Sequence, residues 1–207
     1  MTLYNLLERI VNNDEYHAKW LNTLSYMENA GARKISASEH PSEVNLIQLK
    51  HAAEEHRHAY YLKKQITKIT SSFCENYKKE YLLASASTRH YLHHLDIKTC
   101  KYLQQHFTLT KEHLKYAAYL FVTYAIEVRA DELYPVYQEI LTKYSSKIMV
   151  KSIILEEEGH LEEMISQLDH FCEQWKIHAE NILTIENDLY QQWINSISQE
   201  VLKTEHA

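Results

Sequence analysis

Ser42-Glu43-Val44-Asn45-Leu46-Ile47-Gln48-Leu49-Lys50-His51-Ala52-Ala53-Glu54-Glu55-His56-Arg57-His58-Ala59-Tyr60-Tyr61-Leu62 contains no glycine or proline and follows Pro41 directly. Val44, Ile47, His51, Glu55, His58, Leu62, Ile66 and Ile69 recur at steps of three and four, the period of one helical face. The spacing predicts a helix that begins after Pro41, with Ser42 as its cap. Glu55 and His58 interrupt the apolar seam, so both point inward. Three residues apart on a helix, they lie on one face about 4.5 Å apart along the axis.

A second tetrad, Glu157-Glu158-Gly159-His160, repeats the Glu-x-x-His spacing of Glu55-His56-Arg57-His58. It falls on a predicted helix from about Ser146 to His178, whose inward stripe is Val150, Ile153, Ile154, Glu157, His160, Met164, Leu168 and Phe171. Each tetrad pairs with a lone upstream glutamate. Glu28 lies 27 residues before Glu55, and Glu127 lies 30 residues before Glu157. Such an interval allows about twelve residues down, a turn and about twelve residues up, returning to the same height of a bundle.

Both lone glutamates sit on apolar stripes. A first helix is expected from about Leu3 to Ser36, with Ile10, Leu21, Leu24, Glu28 and Ile35 in line. Another, from about Lys111 to Lys143, carries Ala117, Leu120, Tyr124, Glu127, Asp131 and Tyr134, and Pro135 predicts a kink or local opening just after the acidic cluster. Between the two pairs, Cys74 to His106 reads as an irregular, helix-prone crossover. A last amphipathic helix, about Ala179 to Lys203, carries Ile182, Ile185, Leu189, Trp193, Ile197 and Val201 and is expected to pack across the bundle or at a subunit contact.

Composition agrees with an all-α chain. Two glycines and two prolines in 207 residues are too few for a fold of strands and hairpins. Residues 1–207 read as a single domain, with no low-complexity linker to divide them. A net charge of −6 without long basic runs makes nucleic acid a poor partner. Cys74, Cys100 and Cys172 form no Cys-x-x-Cys pair, and no stretch is apolar for long enough to span a bilayer or serve as a leader. The expected compartment is the cytoplasm.

Chance must be weighed, because 14 histidines among many glutamates make one Glu-x-x-His match unremarkable. Position decides: both tetrads and both lone glutamates lie on inward stripes of four separate helices. Four carboxylates buried without cations would cost many kcal/mol, and a bound metal resolves that cost. His90, His93 and His94 have metal-compatible spacing but read as exposed, and Arg33 reads as a surface residue. Tyr124, one turn before Glu127, is the tyrosine expected near the cluster. Asp131 and Glu132 are read as salt-bridge partners or as hydrogen-bond partners of a ligand.

One glutamate from each of two helices plus Glu-x-x-His from each of two others resembles the ferritin-like superfamily of non-haem di-iron proteins. Glu54-Glu55-His56-Arg57-His58 is similar to the Asp-Glu-x-Arg-His form of bacterial multicomponent monooxygenases, with Glu54 in place of the aspartate. Glu156-Glu157-Glu158-Gly159-His160 is a looser copy. The resemblance implies a ferritin-like four-helix bundle with a long crossover and additional helices. It implies Glu28, Glu55, His58, Glu127, Glu157 and His160 as metal ligands, with Glu55 and Glu157 as bridges. Glu54 and Glu156 would orient the imidazoles, Arg57 would balance charge, and Tyr124 and Asp131 would lie just outside the ligands.

The implied cofactor is a pair of iron ions, with manganese or a mixed pair as variants. The implied activity is that of a dioxygen-activating oxygenase or hydroxylase acting on a small lipophilic molecule, fed by an external electron donor, in a monomer or homodimer. Tyr26, Leu62, Phe121, Ile153 and Met164 are candidates for a lipophilic cavity. The chain has no rubredoxin-like Cys-x-x-Cys module and keeps His160 in the fourth helix, which ranks iron storage second. The alternatives are a ferroxidase, peroxide-scavenging or storage protein, or a helical protein that binds a partner without catalysis.

Overall fold

The computed structural model describes residues 1–70 and 74–203, and among them there is no strand. Seven α-helices are present: α1 (Leu3–Val11), α2 (Asp14–Ser38), α3 (Leu46–Gln65), α4 (Ser85–His106), α5 (Lys111–Lys143), α6 (Lys151–Phe171) and α7 (Trp175–Lys203). No helix among the described residues is long and apolar enough to cross a membrane.

Capping side chains set several boundaries, and they correct the sequence reading. The expected single first helix is two, because Asn13 leaves the helical conformation and its Oδ1 accepts from Tyr16 N at 3.0 Å. Asn45, not Ser42, caps α3 by accepting from the backbone N–H groups of Ile47 and Gln48, which leaves Val44 outside the helix and exposed. The crossover is less irregular than expected. Residues 85–106 form the regular helix α4, in which Tyr91, Leu92, Leu95, Thr99 and Leu103 give an inward face at helical period. Residues 71–73 lie outside the described residues.

α5 is helical on both sides of Pro135, so the local opening expected there does not occur. Pro135 is exposed, and so is Asp131, whose carbonyl loses its helical donor to the proline; water can supply the missing bond. The expected helix from Ser146 to His178 ends earlier, at Phe171. Residues 175–178 belong to α7 instead.

Cross-helix contacts fix the topology. Ser25 bonds Ala59 while Gln48 bonds Ile35, so α2 and α3 are antiparallel. Tyr116 meets Gln167 and Gln138 meets Val150, so α5 and α6 are antiparallel as well. Lys50 pairs with Glu163 and Tyr61 reaches Met149, which sets α3 antiparallel to α6. The helices α2, α3, α5 and α6 therefore run up, down, down and up. Two consecutive helices in the same direction need a return element, and α4 is that element: it lies alongside α2 through Lys34, which bonds Leu92 O and Asp96. α7 runs back against α4, with Thr88 on Trp193 and Tyr102 on His178.

Two apolar cores fill the two ends of this assembly. One gathers Leu6, Trp20, Tyr137, Ile148 and Trp193; the other gathers Ile35, Phe121, Met164, Leu168 and Trp175. Between them, at mid-height, lies a layer of buried polar side chains.

Candidate metal centre

All six side chains expected to converge do so. Ligand-capable atoms of Glu28, Glu55, His58 and Glu157 lie within 4.8 Å of one another, and so do those of Glu55, Glu127, Glu157 and His160. Glu55 and Glu157 belong to both groups. Each group thus has one imidazole, one glutamate of its own and two shared glutamates. Glu127 and Glu157 are only 2 % and 3 % exposed, and both histidines only 1 %. Glu28 is partly buried, at the edge of the layer.

The imidazoles are held from behind. His58 Nε2 bonds Glu156 Oε2 at 2.7 Å and His160 Nε2 bonds Glu54 Oε2 at 2.8 Å, each from its own helix to the facing one. With a proton on Nε2 shared outward, Nδ1 of both rings faces the carboxylates, the arrangement that leaves a lone pair for a cation. His58 Nδ1 lies 3.1 Å from Glu157 Oε1, and His160 Nδ1 lies 3.2 Å from Glu157 Oε2 and 3.8 Å from Glu127 Oε1. Arg57, half-exposed, pairs with Glu156 and so backs the His58 side.

The donor set fits a cation better than it fits itself. Glu127 Oε2 is fully buried without a hydrogen-bond partner among the described residues, and His58 Nδ1, equally buried, has only carboxylate oxygens to face, which is costly for groups of this polarity. Without metal, protons do the compensating. Burial, with Glu55 beside it, pushes the Glu28 carboxyl well above the carboxylate range, and burial with Glu157 beside it does the same to Glu127. Burial opposes the charge on His58, yet the Glu157 and Glu55 carboxylates raise it to about 12; His160 is raised in the same way against burial. Glu157 moves down despite burial, because Glu127, His160 and His58 bond its charged form.

A cation must displace those protons, since metal ligands bind in their deprotonated forms. Adding ferrous or manganous ion to metal-free protein in weak buffer is therefore expected to acidify the solution. Affinity should rise as pH rises from about 6 to about 8, as protons held by Glu28, Glu127, His58 and His160 compete less. Calorimetric titration in buffers of different ionisation enthalpy reads both effects; pH-independent binding without proton release would contradict the assignment.

Not every expected neighbour is there. Asp131 is exposed and lies outside the layer, whereas Glu132 forms the salt bridge expected of it, with Arg129. Tyr124 is half-buried and its ring packs edge-on against Trp175, 5.4 Å between centroids. The tyrosine beside the cluster is Tyr134, which donates its hydroxyl proton to Glu28. His51 is a third buried imidazole at this level. Its ring lies 4.2 Å from that of His160, its Nδ1 is 3.3 Å from Tyr119 Oη, and its Nε2 is 3.4 Å from Glu163 Oε2. The stripe of α3 contained His51, but its spacing matched no ligand pattern. His90 and His94 stack on the outside of α4, 3.7 Å between centroids.

A cavity of about 350 Å³ opens onto Glu28, Glu55 and Glu127. Its apolar walls come from α2, α4 and α5, including Leu24, Met27, Leu95, Val122, Ile126 and Leu133. Of the residues expected to line such a space, Leu62, Phe121, Ile153 and Met164 are packed in the cores, and Tyr26, partly buried beside one of them, packs edge-on against Tyr77. Comparison with family models, with curated proteins and with solved structures finds no match to this chain.

Proposed function

We propose that this chain is a ferritin-like four-helix bundle that binds two iron ions and uses them to activate dioxygen for oxidation of an apolar organic molecule. The observation that carries this reading is the pair of donor groups sharing Glu55 and Glu157, opening on one side into an apolar cavity. Carboxylate oxygens with one imidazole per site suit iron or manganese. Bound there, ferrous ions would supply the electrons for dioxygen reduction and the oxidising power turned on the substrate.

The chain's own residues do the rest. Glu55 and Glu157 would be shared by the two ions, Glu28 and Glu127 would each serve one of them, and Glu54 and Glu156 hold the imidazoles by their far nitrogens. Tyr134 fixes the orientation of Glu28, one of the three cluster carboxylates that line the cavity. The wall of aliphatic side chains excludes water and places substrate against the carboxylates of Glu28 and Glu127. Electrons for repeated turnover come from an external donor, and three unpaired cysteines fit a reducing cytoplasm.

Storage or ferroxidase activity is the competing use of the same ligands. The apolar cavity favours an organic substrate over a mineral path. Anaerobic loading with ferrous ion followed by dioxygen should show rapid oxygen uptake, and an added aliphatic compound should be recovered with oxygen incorporated from labelled dioxygen. Oxygen uptake that yields only released ferric ion, with every organic compound unchanged, would transfer the assignment to iron handling.

A further inference from the structure

We propose that the cavity beside the cluster binds an unbranched aliphatic chain with an anionic head group, a long-chain carboxylic acid. This deepens the oxygenase reading by naming its substrate class. Binding of the chain itself requires only the cavity.

Shape selects the chain. On α5 the lining residues extend from Lys115 to Tyr134, and on α2 from Leu24 to Ser38. At 1.5 Å per residue these are about 28 Å and about 21 Å of helix. A volume of about 350 Å³ spread over that length leaves a mean cross-section of roughly 12–17 Å² for the centres of bound atoms, so the cavity is several times longer than it is wide. One extended methylene chain fills such a channel along its length, whereas a compact ring system such as naphthalene fills only part of it.

The two ends differ. Tyr91, Leu133, Tyr134 and Trp193 close one end and are all nearly inaccessible to solvent. At the other end Ala37 and Lys115 are exposed, and Ser38 and Cys100 partly so, which makes this the mouth. Two of the three cations lining the cavity are neutralised: Lys34 by Asp96, and Arg129 by Glu186 and Glu132. Lys115 has no ion pair among the described residues, so the mouth carries an uncompensated positive charge. Glu28, Glu55 and Glu127 meet the channel part-way along, so a chain anchored at Lys115 passes the cluster and ends against Trp193. Lys115 and Glu127 are about 18 Å apart along α5, which places the exposed part of the cluster beside the body of the chain and not beside its head.

Gly31 supports the same reading. It is one of two glycines in the chain, lies inside α2 and lines the cavity, and a Cβ there would meet nothing within 4 Å. Glycine weakens a helix interior relative to alanine, and nothing in the backbone of α2 requires it: its φ is not positive. Its effect is to leave the channel open.

Calorimetric titration of the full chain with sodium dodecanoate, sodium hexadecanoate, 1-dodecanol and naphthalene tests this. Both acids should bind, with naphthalene weaker by at least about tenfold. Gly31→Leu and Val122→Phe, which narrow the channel from opposite walls, should each weaken the acids by at least about tenfold while iron content is unchanged. Lys115→Glu should weaken dodecanoate more than 1-dodecanol. Undiminished acid binding in both narrowed variants, or naphthalene binding as tightly as the acids, would overturn the chain assignment; equal losses of acid and alcohol in Lys115→Glu would overturn the anionic head. Iron content of the same samples is an independent readout. Chain binding without iron would defeat the di-iron reading alone, and iron without chain binding would defeat this proposal alone.

Discussion

Glu157→Ala is expected to empty both metal positions at once. Glu157 is common to the two donor groups, with one carboxylate oxygen 3.1 Å from His58 Nδ1 and the other 3.2 Å from His160 Nδ1. Glu28 and Glu127 each belong to one group. Elemental analysis after loading should therefore fall from two ions per chain to none in Glu157→Ala, whereas Glu28→Ala and Glu127→Ala should each leave one site with its full donor set. The same contrast should appear in thermal stability. A ligand held at 100 times its dissociation constant stabilises the native state by about 2.7 kcal/mol, and that increment should vanish in Glu157→Ala. A variant that keeps both ions would remove Glu157 from its bridging role.

The second large effect lies away from the cluster. Glu186 on α7 is 1 % exposed, accepts two hydrogen bonds from the Arg129 guanidinium on α5 at 3.0 and 2.7 Å, and a third from Tyr91 on α4 at 2.7 Å. Arg129 also lies over the Tyr190 ring, 3.9 Å from its centroid. Three helices thus meet on one buried carboxylate. Arg129→Met removes its cation and should destabilise the protein by about 3–5 kcal/mol, because a buried charge left unpaired costs more than the pair contributes. In a chain of this size the expected fall in Tm is on the order of 10 °C. Arg129→Met combined with Glu186→Leu should recover most of the loss, since an apolar pair of similar volume is tolerated there. Urea unfolding of both variants measures this. Additive losses in the double variant would show that packing, not charge, dominates.

The sequence revealed the chemistry better than the boundaries. Glu55, His58, Glu157 and His160 were legible because each interrupts an apolar stripe at helical period, and a polar group on such a face needs a partner. The neighbours were less legible for a geometric reason. At 3.6 residues per turn, Tyr134 is about 20° from Glu127 around the helix, Asp131 about 40° and Tyr124 about 60°. Sequence proximity favoured Tyr124 and Asp131, whereas angular position favours Tyr134. Glu186 leaves no sequence signal because the apolar stripe of α7 reads through Ile185, which is only half-buried, and the partner that lets a carboxylate lie inside comes from α5, 57 residues earlier. The break at Asn12-Asn13 depends on one capping bond, and the stacking of Trp20, Trp193 and Tyr91 joins residues from three helices. Neither leaves a periodic trace.

In the proposed function, six side chains from four helices hold two metal ions at one level. Anomalous X-ray diffraction at the iron edge from crystals of the ferrous-loaded protein tests it most directly. Two peaks are expected between Glu55 and Glu157, one on the His58 and Glu28 side and one on the His160 and Glu127 side. A single peak, peaks elsewhere on the surface, or an empty layer with its carboxylates bonded to one another would contradict it.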